Sequence, residues 1–330
     1  MNKVEQALVH TRVETPLPKT LAIQLTSFWE DIFNASYKDY HGVLAGTERD
    51  LNRNIIYLTK VGSALAGTSQ LTLSSSDAQL GGLGEVAIAT SQRRQGIGRA
   101  LCTLARDEFF ALGGVAIFLG TFNPDAAKLY HSLGWRQMEG SNVMCLVRDG
   151  RTPEAFLADY FYHTDNIRIS RGSAAQRLSM IPLIVCPHDW RILDANLNLF
   201  STRFVLQKSC MGLFPRYQVL SQNPQAEWFT ATTTLGCLVG LASAKLLNKK
   251  VVQIDGFSHP RFDSAHHKLL KQCLAWAIAQ NVNRCQAIIA QADVAKQRAF
   301  RSLGFSESGP GEDIEMAGTI LHTLRLNLNL

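Results

Sequence analysis

The chain has 330 residues, of which 46% are apolar and 18% are charged, and its formal net charge is +6. This composition is typical of a folded globular protein, and the length predicts two domains. The basic residues are scattered apart from one cluster at residues 93–99, which argues against a nucleic-acid-binding stripe. No apolar run approaches the roughly 18 residues that span a bilayer. We therefore expect neither a nucleic-acid nor a membrane partner.

The cysteines and the N-terminus bear on the compartment. There are seven cysteines, an odd number, and no Cys-x-x-Cys spacing occurs, so the sequence lacks a zinc or redox motif. Cysteines in apolar surroundings favour a reducing environment, and the first residues do not resemble a signal peptide. We expect a cytoplasmic protein that uses no metal.

Taken in chain order, the first part alternates helices and strands. Apolar residues at helical spacing predict a helix over residues 19–35. Two strand-like runs, residues 55–59 and 64–73, predict a β-hairpin around a Gly-Ser turn. The Ser- and Gly-rich stretch 74–83 predicts an exposed loop, and residues 86–89 predict a short strand.

A basic, glycine-bearing turn follows that strand and leads into a helix. The first N–H groups of any helix lack intrahelical partners, and the helix dipole is positive at that end. Gly96 and Gly98 allow close approach to the backbone, while Arg93, Arg94 and Arg99 add donors suited to phosphate. The turn therefore predicts an anion site. A merely solvated basic turn is the alternative interpretation.

A second helix start comes after a buried strand predicted over residues 115–120. Asn123 is placed to cap the helix, with Pro124 at its first position and Asp125 in its first turn. Gly134 ends the helix, and strands are predicted from Trp135 and over residues 143–147.

These two segments together resemble the GCN5-related N-acetyltransferase (GNAT) superfamily. The order Arg93-x-x-Gly96-x-Gly98 is similar to the pyrophosphate-binding motif of that family. The segment Asn123-x-x-Ala126-x-x-x-Tyr130-x-x-x-Gly134-Trp135 is similar to its second motif. The resemblance covers about residues 20–148. It implies an α/β (mixed α+β) fold in which helices flank a mixed central sheet.

The resemblance implies acetyl-CoA as co-substrate. It makes the amide of Ile88 the donor to the thioester oxygen and Tyr130 the general acid for the coenzyme A thiolate, with a core Tyr as the alternative. Glu85 is the candidate base; a surface salt-bridging Glu, His131 or water are alternatives. The predicted cofactor-binding residues are Ile88, Ala89, Thr90, Arg93, Arg94, Gln95, Gly96, Ile97, Gly98, Arg99, Ala100, Asn123 and Tyr130.

The pattern starts again after residue 150. Ser-Leu-Gly plus an aromatic residue at 132–135 recurs at 302–305, an offset of 170, and such similarity at domain scale indicates duplication. The rear counterpart of the glycine turn, residues 258–266, contains no glycine, and Phe300 replaces Tyr130. We interpret residues 1–150 as a catalytic GNAT domain and residues 151–330 as a degenerate, non-catalytic copy. His259, His266 and His267 are read as satisfied or exposed histidines.

The leading prediction is an acetyl-CoA-dependent N-acetyltransferase that acts on a small-molecule amine. Tyr37, Tyr40 and His41 are candidates for the acceptor pocket. The alternatives are a loading or decarboxylating enzyme for acyl-CoA or acyl-carrier protein, and a non-catalytic CoA-binding module. The fused copies leave both a monomer and a homodimer open.

Overall fold

The computed structural model describes residues 8–76, 78–162, 166–203, 205, 211–316 and 318–330. The chain divides into two compact units. The first consists of the residues up to Gln137 together with Val143–Pro153, and the second of Met138–Asn142 together with Glu154–Leu330.

The first unit is a seven-stranded mixed sheet in the order β1-β2-β3-β4-β5-β7-β6. Only the pair β4–β5 is parallel among the ladders of this sheet in the described residues. Its elements are β1 (His10–Glu14), α1 (Lys19–Phe33), α2 (His41–Leu44), β2 (Asn52–Val61), β3 (Ala64–Ser74), β4 (Leu80–Ile88), α3 (Ile97–Ala111), β5 (Ala116–Gly120), α4 (Pro124–Ser132), β6 (Arg136–Gln137) and β7 (Val143–Val147).

The second unit repeats this arrangement with strands β8-β11-β12-β13-β14-β18-β15, and β13–β14 is again the parallel pair. The predicted fold class, two helix-flanked mixed sheets, is confirmed. The elements are α5 (Pro153–Tyr160), β8 (Ile167–Arg171), α6 (Met180–Val185), β9 (Ile192–Asp194), β10 (Leu199–Phe200), α7 (Leu213–Ser221), β11 (Ala226–Thr233), β12 (Leu238–Asn248), β13 (Val251–Ser258), α8 (Asp263–Ala279), β14 (Arg284–Ala290), α9 (Val294–Arg301), β15 (Ser306–Pro310), β16 (Ile314–Met316), β17 (Thr319–Leu321) and β18 (Thr323–Asn329).

The loop predicted over residues 74–83 is shorter than expected, because β3 extends to Ser74 and β4 already begins at Leu80. The glycine at position 81 lies against the ring of Phe109, and a Cβ there would come within 2.7 Å of it. Gly81 therefore allows the strand to pack closely on α3. The Ser- and Gly-rich composition of residues 74–83 does not by itself distinguish such a strand from a loop.

Two observations follow from the described residues alone. Within them, no helix combines the length and apolar character needed to cross a bilayer. Their six cysteines are free thiols, and five of these are buried. The seventh, Cys210, lies outside the described residues.

A β-bulge in β4 determines which side chains face which helix. Thr68 of β3 pairs with Ala87 and Gln70 pairs with Gly84, so two residues, Glu85 and Val86, lie opposite one. Glu85 has a φ of 45°, in the left-handed region. Glu85 was expected at the start of the strand; it lies inside the strand, at the bulge.

The bulge reverses the alternation of the strand. Gly81 faces α3, whereas Ala87, six residues later, lies in the core cluster on the α1 side with Leu25 and Trp29. A regular strand would place residues 81 and 87 on one face. The extra residue thus turns the last part of β4 over, as bulges do near functional sites.

One buried hydroxyl holds the bulge. The Thr68 hydroxyl donates to the Glu85 carbonyl at 2.8 Å and accepts from the Trp29 indole N–H at 2.9 Å. Both Thr68 and Trp29 are buried. This chain of hydrogen bonds ties α1 to the irregular position of β4.

We expect Thr68→Val to lower the free energy of unfolding by about 2 kcal/mol, because the indole N–H and the Glu85 carbonyl both lose their partner. Urea unfolding followed by tryptophan fluorescence measures this. Thr68→Ser keeps the hydroxyl and is the matched control. Equal losses in the two variants would contradict the role of the hydroxyl.

Candidate active site of the first unit

The parallel strands β4 and β5 part before β4 ends. Leu80–Gly82 pair with Ala116–Phe118, and in the described residues β4 then continues to Ile88 without pairing to β5. The N–H of Ala89 bonds to the Ala66 carbonyl of β3 at 2.9 Å. Because backbone groups alternate along a strand, the N–H of Ile88 faces the opposite edge, where β5 has diverged.

The glycine turn leads from this edge into α3. A 3-10 turn over Thr90–Gln92 comes first, Arg94 and Gly96 have φ of 65° and 81°, and α3 begins at Ile97. The first intrahelical bond runs from Ala100 N–H to the Gly96 carbonyl at 3.0 Å, and Gly96, the N-cap residue, has no side chain to accept from the N–H groups that follow. The N–H groups of the first helical turn are therefore available to an anion.

Gly96 and Gly98 are explained by different structural requirements. Gly96 needs its left-handed backbone, and no atom lies within 4 Å of a Cβ built on it. Gly98 lies inside the first turn of α3, not in the preceding turn, and a Cβ there would make ordinary contacts of 3.5 Å to Leu129 and 3.6 Å to Ile88. The protein itself thus tolerates a methyl group at position 98. A ligand in contact with the backbone at this position would collide with that methyl group.

The three arginines are not gathered at one point. Arg93 Nε donates to the Ile88 carbonyl at 3.3 Å, and Arg99 Nη2 donates to the Ser132 hydroxyl of α4 at 2.8 Å. Arg94 is exposed and makes no ion pair within the described residues. Arg99 therefore joins α3 to α4, and the turn keeps a local positive charge.

The other predicted cofactor-binding residues lie around this turn. Ile97 is buried against Gly67, and the side chain of Ile88 lies on the same face. Gln95 Nε2 donates to the Ser91 carbonyl at 3.4 Å. The remaining ones are Ala89, which precedes the 3-10 turn, Thr90 within it and the half-buried Ala100 in the first turn of α3.

The helix α4 begins as predicted. The Asn123 side chain accepts from the N–H groups of Asp125 at 2.9 Å and Ala126 at 3.3 Å, which confirms it as the N-cap. Tyr130 is 6% exposed, and its ring centroid lies 6.2 Å from that of Trp135. The ring contact leaves both interpretations of Tyr130, core residue and acid, in place.

Glu85 lies among aromatic rings on the α1 side of the sheet. The Tyr37 hydroxyl donates to its carboxylate at 3.4 Å, and the rings of Tyr37 and Trp29 lie 5.3 Å apart. Burial, and then the charge of Glu85, raise the pKa of Tyr37 well above its ordinary value. Tyr37 therefore stays a neutral donor. His41, in contrast, is exposed at the start of α2.

Sequence reasoning missed a buried polar group behind these rings. Gln70 Nε2 donates to the Tyr40 hydroxyl and, at 3.0 Å, to Asn54 Oδ1, which also accepts from the Thr72 hydroxyl at 2.9 Å. Asn54 on β2 and Gln70 and Thr72 on β3 lie on one face of the sheet. Polar residues at every second position of two apolar strands were the available signal.

The histidines noted at positions 259, 266 and 267 lie in the second unit. The ring of His259 stacks on Phe161 at a centroid distance of 4.1 Å, and the buried His266 contacts Trp190 at 4.4 Å. Burial lowers the pKa of His259 to about 4 and that of His266 to about 3. Across the described ranges, no group of three or more His, Cys, Asp or Glu residues is arranged to hold a metal ion.

Comparison with known proteins identifies the first unit. Residues 22–135 match the model of the acetyltransferase (GNAT) family. This part of the chain is a GNAT acetyltransferase domain. No curated protein matches the chain significantly.

Solved structures that are similar align with about half of the chain. A GNAT family acetyltransferase from Elizabethkingia anophelis with acetyl-CoA bound is 15% identical and has a TM-score of 0.34; the alignment covers 51% of this chain and 100% of that one. The spermidine/spermine N-acetyltransferase of Vibrio cholerae is 12% identical and has a TM-score of 0.38; the alignment covers 49% of this chain and 93% of that one. A GNAT family acetyltransferase from Streptococcus pneumoniae is 14% identical and has a TM-score of 0.39, with 50% of this chain and 99% of that one aligned.

We expect Gly98→Ala to leave the free energy of unfolding unchanged or to raise it by up to about 1 kcal/mol, because alanine favours a helix. The same variant should weaken coenzyme A binding at least ~10-fold, because the methyl group enters the space next to the helix N-terminus. Calorimetric titration and urea unfolding measure the two effects. Unchanged affinity would contradict a ligand at this backbone.

Proposed function

We propose that the chain is an acetyl-CoA-dependent N-acetyltransferase for a small-molecule amine, with the first unit as its catalytic domain. The observation that carries this is the open edge of β4, which ends at the uncapped N-terminus of α3. An anion site that continues into an edge of free amides suits a molecule with a pyrophosphate at one end and an amide-bearing arm. The family match of residues 22–135 supports the same assignment.

The residues of the turn fit such a co-substrate. The N–H groups of Ile97, Gly98 and Arg99, in the first turn of α3, would hold the pyrophosphate. The N–H of Ile88 would donate to the thioester oxygen, where negative charge develops as the amine attacks. Asn123, engaged in capping α4, would contribute through the position of that helix.

Protons must leave the attacking ammonium and reach the departing thiolate. We assign the first role to the Glu85 carboxylate, which Tyr37 orients by its hydrogen bond. The second falls to the Tyr130 hydroxyl on α4, the helix that Arg99 joins to the start of α3. A half-buried carboxylate beside tyrosine and tryptophan rings suits a cationic amine, because the ring faces also attract positive charge.

Release of free thiol from acetyl-CoA in the presence of a panel of small amines tests this function. We expect Tyr130→Phe to bind coenzyme A as tightly as the wild type while kcat falls about 100-fold, because the thiolate loses its proton donor. Tyr162→Phe, which changes an exposed tyrosine, is the control. Full turnover by Tyr130→Phe would remove this residue from the mechanism, and absence of coenzyme A binding by the wild type would refute the function.

We expect Glu85→Gln to lower kcat/KM for the amine about 100-fold near pH 7, because the ammonium loses its base. The deficit should shrink as the pH rises, since a growing fraction of the amine is then already unprotonated. Affinity for coenzyme A should not change. The control is Glu154→Gln, an exposed carboxylate. A deficit that is constant with pH would assign Glu85 a structural role.

A further inference from the structure

The second unit has the same parted strands as the first. Val251–Gln253 of β13 pair with Arg284–Gln286 of β14, and in the described residues β13 continues to Ser258 unpaired on that side. The offset of 170 places Ser258 at the position of Ile88. The corresponding groove therefore exists in the rear copy, and the question is what fills it.

A segment of the chain itself, Trp190–Asn196, lies at this opening. The Trp190 ring contacts His266 in the first turn of α8, the Ala195 N–H donates to Asp255 at 2.7 Å, and Asn196 Nδ2 donates to the Gln253 carbonyl at 3.2 Å. Ile192 clusters with Ala290 at the end of β14, and Asn196 also donates to the Ser243 hydroxyl of β12 at 2.9 Å. The segment thus crosses the opening between β13 and β14 and ends over β12 and β13.

A lysine of α9 fastens the segment in place. Lys296 Nζ donates to the carbonyls of Ile192 at 2.8 Å and Leu193 at 3.1 Å, and it forms an ion pair of 2.5 Å with Asp255. The side chains of both charged residues are fully buried. At the offset of 170, Lys296 occupies the position that Ala126 has in α4.

An imidazole takes the place of the second glycine. Leu101 of α3 lies against Gly67, and Leu269 of α8 lies against Gly240 in the same way. His266 stands three residues before Leu269, as Gly98 stands three residues before Leu101. The space that Gly98 leaves at the helix N-terminus is therefore filled, in the rear copy, by a ring packed on Trp190.

A side chain also satisfies a backbone group of the open edge. The N–H of Gly256, at the position of Val86, donates to Asp255 Oδ1 at 2.7 Å. Buried backbone groups of an unpaired strand need such partners. In the second unit a carboxylate of the protein supplies the partner of this N–H.

We infer that Trp190–Asn196 is a permanent intramolecular ligand of the second unit, bound in the groove where the first unit would bind acyl-CoA. The identity of that groove rests on the proposed function of the first unit. The consequence is one coenzyme A site per chain. The second unit holds its groove closed whether or not the nucleotide is present.

Hydrogen exchange of the full chain, with and without coenzyme A, tests the inference. We expect the amides of Ala195 and Gly256 to exchange on the order of 100-fold more slowly than exposed loop amides without any nucleotide, and not to change when it is added. Titration calorimetry should give one site. A second site, or coenzyme A-dependent protection of the β13 amides, would overturn the inference.

The first unit serves as an internal comparison. The amides of Val86 and Ile88 should be protected from exchange only when coenzyme A is present. If this protection does not appear, the proposed function is contradicted. The exchange of Ala195 and Gly256 still tests the inserted segment independently. Trp190→Ala should speed exchange at residues 190–196 without burying a charge. Lys296→Ala should speed it further, and Arg298→Ala on the exposed side of α9 should not. Unchanged exchange in both Trp190→Ala and Lys296→Ala would overturn the inference.

Discussion

Both units depend on one constraint: the central parallel strands part before they end, and the backbone groups on the freed edge need partners. Pairing stops at Gly82 in the first unit and at Gln253 in the second. A buried N–H or carbonyl without a partner costs about 1–3 kcal/mol. The fold can meet this need with water, with a ligand or with its own chain. The second unit meets it with its own chain, and under the proposed function the first unit meets it with acyl-CoA.

In the second unit, buried charged residues hold the segment in the groove, and separating them costs free energy. A buried lysine is stable only while a carboxylate and hydrogen-bond acceptors surround it, and breaking such a pair typically costs about 3–5 kcal/mol. Lys296 therefore requires Asp255 and the carbonyls of the inserted segment together. The segment in turn requires the Asp194 carboxylate, which accepts from Ser243 and Tyr217. Opening the groove for a ligand would break several of these bonds at once.

Local signals in the sequence predicted much of the fold and the outline of the site. The cap at Asn123, the helix after the glycine turn and the final strand Val143–Val147 depend on neighbouring residues, so their patterns are visible in a single sequence. The start of β4 was missed because Gly81 is required by the ring of Phe109, which lies far away in the sequence. The bulge at Glu85 was missed for the same kind of reason, since Thr68 and Trp29 hold it.

The inserted segment shows where sequence reasoning ends and what it could still have used. Nothing local in residues 178–225 indicates that one part of them binds along β13, since that contact spans about sixty residues. One replacement at the other side of the groove was visible, because at the offset of 170 Lys296 stands where the first unit has Ala126. The match of His266 to Gly98 required the structure. Two large polar residues thus stand where the first unit has two small ones, and both face the same groove. Buried polar side chains need partners. The inserted chain supplies them to the lysine, because it offers the carbonyls of Ile192 and Leu193.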